Sequence, residues 1–345
     1  MIGVGVALAM LAIGCGGGGR TEASKTVPVQ AHARQRSSSP KPPSSHPEQA
    51  KVQAAWVALD GWEGAETLGL VMAEKRGYFQ KSRLLVTTLA PITPALSIPD
   101  VLKGSDLIGV AHAPQAVIAR AKGAPLVVIG SLVAKPTAAM IWLKKSRIGS
   151  IADLKGKTIA IPGLSFQREF LQSILERGGL TLDDVKVMKV GNDLVPALAD
   201  GKADAIFGGS GNLEGADLWA RGLEPMITPV QDLGVPPYEE LVLVARTDVA
   251  AELPEVMHRF TSAVTRGAVA AAAEPGNAAR VLDAAGESNP ETGGKAYLAE
   301  TRKTAPLLSE SGRADPVAMK RLANWMYEEG MIPDRVPVSE LLASP

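Results

Sequence analysis

The stretch Gly234-Val235-Pro236-Pro237-Tyr238-Glu239-Glu240-Leu241-Val242-Leu243-Val244-Ala245 decides the fold. Its last five residues are apolar without interruption and read as a continuous apolar strand. This strand comes late, after two separate stretches of alternating strands and helices, so it reads as a return to the first of them.

Working outward, the pattern upstream becomes regular at Lys51. Strands are expected at 54–59, 84–89, 107–110 and 126–130, with a helix at 67–79 that carries Leu68, Val71 and Met72 on one face. A second helix is expected at 114–122, with Pro114 in the first turn, where no N–H is needed. The same grammar restarts near Ala139, with strands at 158–161, 185–190 and 205–208 and helices at 166–177 and 212–221. Beyond residue 245 the chain reads as mainly helical, at 254–274, 277–285 and 317–329. This alternation argues for an α/β protein with mostly parallel sheets flanked by helices.

Composition agrees. The 345 residues are 46% hydrophobic, 4% aromatic and 21% charged, and 36 Lys and Arg balance 36 Asp and Glu. That balance gives no sign of a nucleic-acid partner. The one cysteine, Cys15, excludes an internal disulfide and a cysteine-based zinc cluster. The apolar run at 2–13 is too short to span a bilayer and suits the core of a secretory signal. It ends in Leu11-Ala12-Ile13-Gly14-Cys15, which resembles a bacterial lipobox, although no Lys or Arg precedes the run. The resemblance implies cleavage before Cys15 and acylation of it, which would anchor the chain without spanning the membrane. Residues 16–50, with Ser37-Ser38-Ser39-Pro40-Lys41-Pro42-Pro43-Ser44-Ser45, have a tether's composition.

Signatures of catalysis are absent from the sequence. There is no HExxH motif and no GxSxG elbow. His32 and His46 fall in the tether, and His112 and His258 have no cysteine or histidine close by. Gly156-Lys157-Thr158 lacks the earlier glycine of a phosphate-binding loop, since Ile151 stands there. Gly209-Ser210-Gly211-Asn212-Leu213-Glu214-Gly215 departs from dinucleotide spacing by one residue. No enzyme, cofactor or metal is therefore expected.

Several blocks, taken in order, resemble a known family: Ala73-Glu74-Lys75-Arg76-Gly77-Tyr78-Phe79; Leu154-Lys155-Gly156-Lys157; Asp193-Leu194-Val195-Pro196-Ala197-Leu198 with Gly201-Lys202-Ala203-Asp204-Ala205; Gly208-Gly209 with Asn212 and Glu214; and the 234–245 stretch. They look like the solute-binding proteins for thiamine-pyrimidine precursors, whose relatives bind sulfonates, taurine, nitrate or riboflavin. The resemblance spans roughly 51–332. It implies a two-lobed type II periplasmic-binding-protein fold, with lobe one at 51–135 and 240–345 and lobe two at 136–239. The crossovers near Pro136 and Glu240 would be the hinge, and ligand would sit in the cleft between the lobes.

The resemblance also points to contacts. Asp60 keeps its place in the family's loop after the first strand, whereas the tryptophan moves to Trp62, and Glu66 and Thr67 stand where Asn and His are usual. Asp60 can accept from a ligand amine or fasten the loop; Trp62 can stack on a flat ring or pack between lobes. Glu66 can face the ligand or act as a first-turn acid. Gln115 offers a donor and an acceptor or is solvated. Ser165, beside Phe166, can cap the next helix and meet the ligand. Gly209, Ser210, Asn212 and Glu214 form the leading segment, although Ser210, Gly211 and Leu213 replace the aromatics that relatives show there. Tyr238 closes the cleft or packs the hinge.

The function expected is that of an extracytoplasmic solute-binding lipoprotein, a monomer that delivers a small heteroaromatic or amine-bearing molecule to ATP-binding-cassette permease subunits. Alternatives are an anion binder for sulfonate, taurine or nitrate, a riboflavin binder, or a pyrimidine-synthase-like enzyme on the same fold.

Overall fold

The computed structural model describes residues 52–60, 64–90, 94–284 and 294–343. Cys15, the tether and Trp62 lie outside them. The described residues fall within one compact unit, 50–345.

Among the described residues, ten strands form two five-stranded sheets. They are β1 (Gln53–Ala58), β2 (Leu84–Leu89), β3 (Ile108–His112), β4 (Leu126–Val133), β5 (Ala138–Leu143), β6 (Thr158–Ile161), β7 (Lys186–Lys189), β8 (Ala205–Ser210), β9 (Pro225–Pro229) and β10 (Leu241–Arg246). The first sheet has the order β2-β1-β3-β10-β4 and the second β7-β6-β8-β5-β9. In each, only the fourth strand runs against its neighbours. Those two strands, β5 and β10, follow the two passages of the chain between the sheets, so the expected return strand pairs with β3 and β4.

Burial explains why the reversed strands are apolar over 138–143 and 241–245. Successive side chains of a strand point to opposite faces. Val242 and Val244 enter one core cluster, while Leu241, Leu243 and Ala245 enter another. Likewise Met140 and Trp142 join the first cluster, and Ile141 and Leu143 a third. With both faces covered, a polar side chain at any of these positions would bury a group with no partner, and only Arg246, at the half-buried end of β10, escapes this.

The first cluster is continuous between the sheets. Phe170, on the helix Gln167–Arg177, meets Trp325 edge-on at 4.7 Å, and Trp325 belongs to the helix Pro316–Glu328. Close by, Ser173 Oγ donates to Glu329 at 2.8 Å. The late helix thus packs against the second sheet's helical layer.

Some expected elements differ. The 67–79 helix is two, Leu68–Lys75 and Tyr78–Lys81, because Gly77 takes a left-handed conformation with φ +67. The expected 212–221 helix begins at Glu214, so Asn212 lies before it. Strands β5 and β9, and the helices Leu194–Ala199 and Gly294–Thr304, had no counterpart in the sequence reading.

Candidate functional site

Asp60 follows β1, His112 ends β3, Pro162 follows β6, and Ser210 ends β8. The carboxyl ends of four parallel strands, two from each sheet, therefore converge. This is where open α/β sheets place their ligands. Between them lies a cleft of about 300 Å³ lined by Asp60, Glu66, His112 and Glu300 on one side and by Gln167, Asn192, Ser210 and Glu214 on the other.

The lining is acidic. Burial pushes Glu66 up to about 7, with the charges of Glu240 and Asp60 adding to it against a hydrogen bond from Thr137. Burial likewise raises Asp60 and Glu214. Glu300 reaches about 8 through burial and the charges of Asp217, Glu214 and Glu66. Glu214 is anchored locally, since its Oε2 accepts from the backbone N–H of Ser210 at 2.6 Å. Among the described residues only Asp60 of these carboxyls forms an ion pair, with His112, so the cleft offers acceptors to N–H donors and positive charge and little to an anion.

His112 stands among them. Its Nδ1 lies 2.8 Å from Glu240 Oε1, and its Nε2 lies 3.5 Å from Asp60 Oδ2. Burial pulls the imidazole down, but the hydrogen bond and charge of Glu240, helped by Asp60 and Glu66, outweigh this and hold it at about 9. Burial alone would raise Glu240; His112 and the N–H groups of Thr137 and Ala138 hold it below the ordinary range instead. His112 is thus an imidazolium donating from Nδ1 to a carboxylate.

Of the residues singled out from sequence, Asp60, Glu66, Ser210 and Glu214 line this cleft. Gln115 does not: its Oε1 accepts from the N–H of His112 and closes the first turn of the helix Ala113–Ala121. Ser165 is exposed and caps nothing; Gln167 Oε1 takes the N–H groups of Gly163 and Leu164 instead. Phe166 is buried between His112 and Phe170. Gly209 stands beside Gly208, which reaches the cleft. Tyr238 is buried, and its hydroxyl donates to Glu240 Oε2 at 3.2 Å. Asn212 is also buried: its Nδ2 donates to Glu66 Oε1 at 3.2 Å and to Thr304 Oγ1 at 2.7 Å. It joins the second sheet's rim to the first sheet's side.

Sequence reasoning missed His112, Glu240 and Glu300. For His112 a signal existed, because it stands three residues before Gln115, which the resemblance already marked as a contact. Its partner lies 128 residues away, and nothing local joins the two.

Comparison with known proteins bears on the family and the fold. The family model described as "NMT1/THI5 like" matches residues 64–278. A protein named for thiamine biosynthesis from Haemophilus influenzae is 30% identical over 289 residues, covering 82% of this chain and 90% of that one. The formylaminopyrimidine-binding protein of Halalkalibacterium halodurans is 30% identical over 226 residues, covering 66% and 68%. Proteins named 4-amino-5-hydroxymethyl-2-methylpyrimidine phosphate synthase also match, at lower identity. Among solved structures, the alkanesulfonate-binding protein SsuA from Xanthomonas axonopodis pv. citri, bound to MOPS, superposes with a TM-score of 0.66 at 18% identity, covering 85% of this chain and 99% of that one. At that identity the likeness concerns the fold, which is the two-lobed periplasmic-binding-protein fold.

Proposed function

The chain belongs to the NMT1/THI5-like family, and from its cleft we propose that it is the solute-binding component of an ATP-binding-cassette importer for an amine-bearing pyrimidine related to thiamine precursors. One observation carries the ligand class: four carboxyls, Asp60, Glu66, Glu214 and Glu300, face a cleft of about 300 Å³ beside a single imidazolium. A sulfonate would add a negative charge to that set, and a buried unpaired charge is costly. An aminopyrimidine brings N–H donors and a flat ring of suitable size. The names of two relatives, for thiamine biosynthesis and formylaminopyrimidine binding, support the same class.

In this reading, 51–135 with 240–345 forms one lobe and 136–239 the other, closing about a hinge at the two crossovers. Asp60, Glu66 and Glu300 hold the ligand from the first lobe, and Ser210 and Glu214 hold it from the second. Bridging contacts favour the closed form, which a permease can distinguish from the open one. The location would be extracytoplasmic, with Cys15 as the lipid anchor; fractionation of a Cys15→Ser variant should move the protein out of the membrane fraction, and retention there refutes the anchor.

A thermal-shift screen tests the ligand class. Formylaminopyrimidine and 4-amino-5-hydroxymethyl-2-methylpyrimidine should raise Tm by mass action, and MOPS, taurine and nitrate should not. A rise with the anions alone overturns the assignment, and formation of a pyrimidine phosphate by the protein would place the chain with the synthases.

A further inference from the structure

The two crossovers between the sheets run side by side. The N–H of Glu240, on the second, donates to the Val133 carbonyl at the end of β4 at 2.9 Å. Glu240 Oε2 accepts from the N–H groups of Thr137 at 2.8 Å, the last residue of the first crossover, and Ala138 at 3.1 Å, the first of β5. The same oxygen takes the Tyr238 hydroxyl, while Oε1 takes His112. One carboxylate therefore ties both hinge strands together, and it is only 1% exposed. Its charged partner His112 is also a wall of the cleft, with its other ring nitrogen toward Asp60.

We propose that His112 is the positioning residue that transmits the charge state of the cleft to the hinge, by setting how firmly Glu240 holds the N–H groups of Thr137 and Ala138. The inference rests on the reading of these crossovers as a hinge, but its test needs no ligand, so it can fail while that reading stands. A cation bound at Asp60 neutralises one of the charges that favour the imidazolium. His112 then holds its proton less tightly, and the bond polarising Glu240 weakens. Among the described residues, the titratable groups facing His112 are Asp60 after β1, Glu66 before the helix Leu68–Lys75, and Glu240 at the start of β10. Tyr238 stands behind Glu240, and Phe166 packs on the ring from the second sheet's side without charge. Thr137 is joined further to Ser210 through their hydroxyls at 3.0 Å, so the tie continues to the rim that carries Glu214.

The test is nuclear magnetic resonance on the full chain, labelled at His imidazole nitrogens and at Thr and Ala amides. In the wild type the His112 ring should titrate near 9, and the Thr137 and Ala138 amide signals should move with the same midpoint. Asp60→Asn, which mimics neutralisation by a bound cation, should lower both midpoints together by roughly one pH unit. His112→Gln, which keeps a donor for Glu240, should leave the two amides without a step in that range. Amide signals that stay flat while the ring titrates, or an Asp60→Asn midpoint equal to wild type, would overturn the proposal. The Asp60→Asn arm stands even should His112→Gln fail to fold.

Discussion

At the residue scale, Glu214 is the side chain on which the ligand assignment leans most. Its backbone lies just after β8, the side chain lines the cleft, and the Ser210 N–H holds one of its oxygens. Glu214→Gln keeps the shape and removes the charge. A charge-assisted hydrogen bond contributes roughly 1.5–3 kcal/mol, so pyrimidine affinity should fall about tenfold to a hundredfold in a calorimetric titration. Wild-type affinity in a folded variant would remove Glu214 from the site. The contrast with Asn212 shows what sequence can and cannot convey here. Both residues sit in the same glycine-rich segment and read alike as candidates. Asn212 turns inward, because Thr304 and Glu66, 92 and 146 residues away, offer it partners. Gln115 and Tyr238 are spent in the same way, on a helix start and on Glu240. Residue type and loop position were legible in the sequence; the competing partner, distant along the chain, was not.

At the element scale, strands with strong β-branched or aliphatic runs were legible to within a residue or two, as with β2, β6 and β10. Those missed had mixed signals. Strand β9 is bounded by Pro225 and Pro229, the helix Leu194–Ala199 contains Pro196, and β5 is a fully buried run that suits strand or helix alike. One packing feature bears directly on the site. The helices Leu68–Lys75 and Pro254–Ala273 cross at Gly69 and Gly267, where a Cβ on Gly267 would overlap the Gly69 carbonyl oxygen and lie 2.8 Å from the Ala73 nitrogen. The neighbour is backbone and cannot swing aside. Gly267→Ala should therefore cost about 2 kcal/mol or more and lower Tm by several degrees. It should also weaken pyrimidine binding, since the first of these helices leads directly from Glu66. A variant with unchanged Tm would show that the crossing has slack.

At the scale of the whole molecule, the buried groups set a direction for stability against pH. Glu66 and Glu239 at about 7, Glu300 at about 8 and His112 at about 9 all stand above their unfolded values of 4.5 for the carboxyls and 6.5 for the imidazole. Each contributes stability that is complete below its unfolded value and lost as pH rises through its folded one. Glu240, held low, acts oppositely and loses its contribution as pH falls below about the ordinary carboxylate range. Calorimetric Tm should therefore be highest near pH 5 and fall steadily toward pH 9; a Tm that rises over that interval would contradict the charge states assigned to the cleft. A bound cationic or amine-bearing ligand should flatten the fall by giving the carboxyls a partner. That ligand is the central claim, and isothermal titration of the wild-type protein tests it most directly. With formylaminopyrimidine in one cell and MOPS in another, the acidic cleft predicts saturable one-to-one binding of the pyrimidine and no heat of binding from the sulfonate; binding of MOPS with none of the pyrimidine would contradict it.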